Sequence, residues 1–264
     1  MISLLQLLKE AQGSPKAIIL AGAPGAGKGY ILSGLDLGGL KVLNVDDIYI
    51  DLLKKANVSL DLKNATPEER SEQAKQMATA NKEFKGDIAS TIEGKQSFIL
   101  DGTASSYNTT VKLKNELDTA GYDVFMLYVY TDLERSLSQN QNRYEKSGGK
   151  DRSLAPAIVM RTWKSVTDNL PKYADLFGNN FVAVANTLDD RMQDIDKIIN
   201  KYLKPFTPTG TKPKTPAQIE KSKLQKAKDN KEIQAMLSDD FIYDVIEYTM
   251  SKEEAQTRLK QFLS

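Results

Sequence analysis

The segment Gly22-Ala23-Pro24-Gly25-Ala26-Gly27-Lys28 fits the pattern GxxxxGK, and Gly29 and Tyr30 follow it. Glycines in such a loop let successive backbone N–H groups turn inward around a phosphate with no Cβ in the way, and the lysine adds a full positive charge. A helix opening near Gly27 would point its positive end at the same spot. The motif predicts binding of a nucleoside triphosphate, ATP or GTP, with Gly22 to Tyr30 around its phosphates. Carboxylates follow where they could work on such a ligand. Asp46 and Asp47 close one predicted strand, and Asp101 stands at the tip of another, ahead of Gly102 and Thr103. Alternating α/β chains bind ligands at the carboxyl ends of their strands, so at least one acid of the Asp46-Asp47 pair is expected to do chemistry. Asp101 is placed to orient Mg²⁺ or its water shell. Arg143 and Arg152 flank the pair Gly148-Gly149, as a mobile cationic lid would require, and Arg161 lies on the next helix.

The chain has no histidine. That removes the commonest general base and the commonest zinc ligand together. Proton transfer falls to Asp, Glu, Lys or Tyr, and any metal must be a hard cation held by oxygens. Cysteine is absent too, which excludes disulfides and thiol chemistry and suits a cytoplasmic protein.

The elements that must position these residues follow from periodicity. The apolar run Ala17 to Ala21 reads as a buried strand before the glycine loop, with a helix from Lys28 to Gly34 after it. Lys41 to Val45, Gln96 to Leu100, Tyr122 to Tyr130 and Asn180 to Ala185 read as further strands. Helices are predicted between them: Ile48 to Lys55, a long one opened by the capping box Thr66-Pro67-Glu68-Glu69, Tyr107 to Ala120, one opened by Thr131-Asp132-Leu133-Glu134, and Ala155 to Phe177. Arg70 and Asn81 are polar members of the long helix that could face a substrate, although a solvated face is the simpler reading. Strand and helix alternate with crossovers long enough for parallel pairing, so the fold class is three-layer α/β.

Length and hydrophobic content (264 residues, 40% apolar) allow one sizeable core plus an appendage, and the formal charge of +1 demands neither nucleic acid nor an anionic membrane. No apolar run approaches a membrane span. Residues 1–12 read as a short amphipathic helix rather than a signal peptide. The domain reading is a core over 1–203, closed by a helix from Leu188 to Tyr202, a Pro/Thr-rich linker over 204–216, and a helical appendage over 217–264. In the appendage Phe241, Ile242, Val245, Ile246 and Tyr248 are too few for a core of their own. They must dock on the main domain, a second copy or a partner protein.

The run AIILAGAPGAGKG resembles the loop of adenylate kinases, which also carry Gly after the lysine, and FILDG resembles their third strand. Those enzymes continue with Phe-Pro-Arg, whereas this chain reads Thr-Ala-Ser. Over roughly Ala17 to Asn186 the better resemblance is to the zeta-toxin kinases and their relatives, the chloramphenicol phosphotransferases. The strand ending at Asp46 is similar to their catalytic-base segment, Asp101-Gly102-Thr103 to their acid–Gly–Thr turn, and Arg143 and Arg152 to their lid arginines. The resemblance implies a mostly parallel sheet of five strands, a P-loop kinase mechanism with ATP and Mg²⁺, and a small-molecule acceptor such as a nucleotide sugar, UDP-N-acetylglucosamine for example. In that scheme Lys28 and the loop amides hold the β- and γ-phosphates and Asp101 positions Mg²⁺. Asp46 takes the acceptor proton, with Asp47 in reserve, and Arg143 and Arg152 neutralise the transferring group. Asp47, Thr103, Arg70, Asn81 and Arg161 complete the set as substrate-facing candidates. These kinases usually place Ser or Thr after the loop lysine to hold Mg²⁺, where this chain has Gly29. Two other expectations stand beside this one: a nucleoside-monophosphate kinase, and a non-catalytic nucleotide-binding module within a larger assembly.

Overall fold

The computed structural model describes residues 13–33, 40–187, 215–237, 244–245 and 247–263. The expected N-terminal helix, the closing helix from Leu188 to Tyr202, most of the linker, and Phe241, Ile242 and Ile246 lie outside the described residues.

The sheet has six strands, all parallel: β1 (Lys16–Ala21), β2 (Lys41–Asn44), β3 (Phe98–Asp101), β4 (Asp123–Tyr130), β5 (Phe181–Ala185) and β6 (Thr249–Met250), in the order β2-β3-β1-β4-β5-β6. The expectation of five is corrected by β6, which comes from the C-terminal segment and pairs its two residues with Ala183 and Val184. Two residues carry no period of their own, and the sequence pattern reads Asp240 to Met250 as one helix of the appendage.

β1 lies between β3 and β4 and is covered on both faces. Ala17, Ile19 and Ala21 pack on one side with Phe98, Leu100, Tyr128 and Tyr173. Ile18 and Leu20 pack on the other with Ile99, Phe125, Leu127 and Val184. This is why the strand is a continuous apolar run instead of an alternating one.

Between the strands run α1 (Lys28–Ser33), α2 (Val45–Lys55), α3 (Pro67–Glu93), α4 (Tyr107–Thr119), α5 (Leu133–Lys146), α6 (Pro156–Asp168) and α7 (Leu170–Phe177). Several element ends differ slightly from the sequence reading, and three helix differences have a specific cause. α2 begins three residues before Ile48, because Asn44 is its N-cap: the Asn44 side chain accepts from Asp46 N at 2.8 Å. α5 is capped by Asp132, which accepts from Arg135 N at 2.7 Å, and not by Thr131, whose hydroxyl donates to Asn186 O. The predicted helix from Ala155 to Phe177 is two helices meeting at Asn169. Pro171 has no N–H to continue the ladder and its ring would strike the preceding turn.

Beyond residue 214 come α8 (Pro216–Met236) and α9 (Lys252–Leu263), with Thr215 and Gln218 forming the capping box of α8. Ile233, Met236 and Leu237 pack against Leu133, Leu137, Val159, Met160 and Trp163 of α5 and α6. Val245 enters the core on the first face of the sheet, and Ala255 and Leu259 of α9 close the second face beside Ile31 of α1. The segment therefore docks on the sheet of its own chain. Each fully buried aliphatic side chain of this kind contributes about 1.5–3 kcal/mol.

Candidate functional site

All strands point their carboxyl ends to one edge, and the candidate residues gather there. Register aligns Leu20 and Asn44 with Asp101, so the tips of β1, β2 and β3 end level. The glycine loop leaves β1 and is pinned from outside. Gly22 N donates to Thr103 O at 3.3 Å, Ser136 Oγ donates to Pro24 O, and Asn186 Nδ2 donates to Ala26 O at 2.7 Å. A trans peptide holds its C=O and N–H on opposite sides. Drawing the Pro24 and Ala26 carbonyls outward therefore turns the Gly25 and Gly27 N–H groups inward. Gly25 and Gly27 adopt φ of +78° and +83°, and a Cβ on Gly27 would lie 2.4 Å from Asn186 Nδ2. Only glycine fits that turn without strain.

Lys28 is partly buried, and its Nζ donates to Gly22 O at 3.1 Å and Ala23 O at 3.4 Å. Burial lowers its pKa; the Asp101 and Asp46 carboxylates pull it back up, while Arg143 and Arg152 push it further down. Asp101 is raised, first by burial and then by the negative charges of Asp46 and Asp47, against the opposing pull of Lys28 and Arg143. One of its oxygens accepts from Asn44 Nδ2 at 2.9 Å. Asn44 thus caps α2 with its oxygen and orients Asp101 with its nitrogen.

Asp46 and Asp47 sit in the first turn of α2, where negative charge opposes the helix dipole favourably. Asp46 Oδ2 accepts from the Arg152 guanidinium. Asp47 is raised by burial and by Asp46, Asp51 and Asp151 around it. Arg143 pairs with Asp151 at 3.3 Å, and Asp151 also accepts from Arg152 N. These residues line a cleft of about 540 Å³ together with Lys54 and Lys150.

The structure thus brings Lys28, Asp46, Asp47, Asp101, Arg143 and Arg152 to one place. Thr103 lies beside the loop, where its carbonyl holds Gly22. Arg70, Asn81 and Arg161 are not among the described residues that line the cleft. Asn81 instead donates to Met77 O in its own helix, and Arg161 is exposed on α6. Asn44, Asp151, Arg135 and Asn186 were not singled out from sequence. Asn44 had a usable signal, since asparagine before an acidic pair is a good N-cap. The others become neighbours of the site only through tertiary contacts. Arg135 NH1 donates to Thr187 O at 3.0 Å, while its buried Nε has no acceptor among the described residues. With Gly25, Gly27, Tyr30 and Asn186 it lines a second cavity of about 330 Å³ beside the loop.

A parallel sheet with the glycine loop on its inner strand and acids at the tips of the next two is the architecture of a P-loop kinase. A family model for zeta toxins matches residues 3–200, and the chain belongs to the zeta toxin family. The fold is also that of a solved complex of AvrRxo1-ORF1 and AvrRxo1-ORF2 with sulphate ions, with 16% identity and a TM-score of 0.53 over 95% of this chain and 81% of that one. The same complex solved with ATP gives 17% identity and a TM-score of 0.51 over 94% and 81% of the two chains. A protein of the PezAT toxin-antitoxin system of Streptococcus pneumoniae is 18% identical, with a TM-score of 0.47 over 88% of this chain and 92% of that one. No curated protein matches the sequence. Family and fold support a kinase or phosphotransferase. Among the described residues no helix is long and apolar enough to cross a membrane.

Proposed function

We propose that this protein transfers the γ-phosphoryl group of ATP or GTP to a hydroxyl of a small acceptor, of which a nucleotide sugar is the leading candidate. The observation that carries this reading is the convergence of Lys28, Asp101, Asp46, Arg143 and Arg152 on one edge of the sheet, where Asp46, Arg143 and Arg152 line a cleft that could take an acceptor. The loop amides and Lys28 hold the β- and γ-phosphates. Asp46 accepts the acceptor's proton. An aspartate suffices, because a loose phosphoryl-transfer transition state asks for proton removal only late. Arg143 and Arg152 face the transferring group from the lid, and Asp151 and Asp46 hold the two guanidinium groups in position.

Mg²⁺ keeps several waters and needs only one or two protein carboxylates besides the phosphate oxygens. Asp101 offers the oxygen that Asn44 does not hold, and Gly29 offers none. Among the described residues no cluster of three acids stands ready to cage a metal. That donor set fits a cation carried in on the triphosphate. Held by Asp101, such a cation would neutralise charge developing on the phosphates. The described residues Val245, Ala255 and Leu259 of the C-terminal segment pack on the sheet of their own chain.

The test is transfer of labelled phosphate from ATP with Mg²⁺ to a panel of nucleotide sugars, nucleoside monophosphates and buffer alone. Lys28→Ala and Asp46→Asn serve as controls. Transfer to a sugar hydroxyl, lost in Lys28→Ala and reduced about 10²–10⁴-fold in Asp46→Asn, supports the reading. Transfer to a monophosphate makes the protein a nucleoside-monophosphate kinase instead. Tight ATP binding with no transfer to any acceptor returns it to a nucleotide-binding module.

A further inference from the structure

Tyr30 is a large aromatic residue left mostly in solvent. The ring is 67% exposed, two residues beyond Lys28, on the helix that leaves the glycine loop. It lines the cavity of about 330 Å³ that holds Gly25, Gly27, Arg135 and Asn186. It also lines a smaller one of about 240 Å³ between α1 and α9, floored by Leu127 and Val184. One ring therefore borders both spaces. From the second side Lys252, the first residue of α9, places its ammonium 4.7 Å from the ring centroid. That is within cation–π range, and the attraction fixes a side chain that would otherwise sweep through solvent.

Beside the tyrosine, the loop-side cavity is lined by the polar side chains of Arg135, Gln139, Asn142, Arg143, Lys146 and Asn186. Gly29, between Lys28 and Tyr30, has nothing within 4 Å of where a Cβ would be, so the approach to the ring is open. Arg135 supplies a guanidinium in the same wall. A triphosphate seated on the loop must carry its nucleoside away from Gly27 and Lys28. Gly25 and Gly27 line this cavity.

We propose that Tyr30 is the stacking platform for the base of the donor nucleotide, and that Lys252 is a positioning residue that holds the ring from the C-terminal helix. The C-terminal segment would then complete the nucleotide site instead of merely closing the sheet. The proposal rests on the reading that the loop binds a nucleoside triphosphate, and the experiment separates the two.

Binding of ATP and of inorganic tripolyphosphate is measured by calorimetry on the full chain with Mg²⁺ at about 0.15 M salt, where charge effects beyond roughly 8 Å are screened. Base–aromatic stacking predicts that Tyr30→Ala weakens ATP about tenfold and leaves tripolyphosphate within about twofold. Tyr30→Phe, which keeps the π-face, should bind ATP as the parent does. Lys252→Ala should weaken ATP by about two- to threefold with tripolyphosphate unchanged, and Lys252→Arg should restore it. Equal loss of both ligands in Tyr30→Ala, or loss of neither, overturns the platform. An unchanged ATP affinity in Lys252→Ala overturns the positioning role. If Lys28→Ala binds both ligands like the parent, the loop reading itself fails, whatever Tyr30 does.

Discussion

Gly27→Ala isolates the contact that shapes the phosphate loop. Gly27 has φ of +83°, and its Cβ would stand 2.4 Å from Asn186 Nδ2. Asn186 has little room to yield, because its N–H donates to Tyr130 O at 2.8 Å and its carbonyl accepts from Thr131 Oγ1 at 2.9 Å. The side-chain amide must leave Ala26 O, 2.7 Å away. A non-glycine residue held at positive φ costs about 1–2 kcal/mol, and the lost hydrogen bond about 1 kcal/mol. The sum, about 2–3 kcal/mol, corresponds to a fall in Tm of roughly 4–12 °C for a domain of this size. Asn186→Ala alone loses only the hydrogen bond, about 1 kcal/mol. In the double variant the bond is already gone and only the backbone strain is added. The pair should therefore cost about 1 kcal/mol less than the two single effects summed, a coupling typical of touching residues. Thermal unfolding of the parent, both single variants and the double variant measures it directly. Strict additivity would refute the argument that Asn186 and Gly27 share one contact.

The remaining predictions concern the metal, the acid and the tail. Gly29→Ser meets no atom within 4 Å and replaces glycine in a helix, so Tm should rise by the equivalent of about 0.5 kcal/mol. If its hydroxyl reaches the cation, half-saturation of phosphotransfer should come at lower Mg²⁺. Asp101 has a folded pKa above its ordinary value, chiefly through burial, so its folded form binds the proton more tightly than its unfolded form. Its contribution to stability therefore falls as pH rises from the ordinary aspartate value, about 3.9, through the raised folded value. Asp101→Asn should flatten that limb of the Tm–pH curve and be more stable than the parent at neutral pH, while phosphotransfer drops. Leu259, 3% exposed against the sheet, should cost about 2–5 kcal/mol on conversion to Ala. A Tm within 1 °C of the parent, on the scale of about 2–4 °C per kcal/mol, would mean that α9 is not part of the cooperative unit.

The glycine loop and the strand before it are legible from sequence because their constraints are local: φ values only glycine tolerates, and an apolar run whose length fits a strand covered on both faces. The same holds for the capping box at Thr66 and Glu69, confirmed by reciprocal hydrogen bonds of 2.8 and 3.2 Å. The capping residue of α5 misled the reading because Thr131 and Asp132 are both good caps. The choice between them was made by Asn186, fifty-five residues away, which takes the threonine hydroxyl. β6 escaped notice because a two-residue strand is defined by its neighbour β5 and not by any pattern of its own.

By itself, then, the sequence determined the parallel α/β class, the loop and its lysine, and the absence of histidine that leaves any proton transfer to Asp, Glu, Lys or Tyr. Each follows from residue type or from spacing within one element. The tertiary structure decided the rest. It set Arg152 against Asp46 and Arg143 against Asp151, gave Asn44 its second task of orienting Asp101, and laid Lys252 on Tyr30. Such pairings join residues up to 222 positions apart, counting from Tyr30 to Lys252. Only packing of the helices on the sheet brings them within the few ångströms at which charge and hydrogen bonding act.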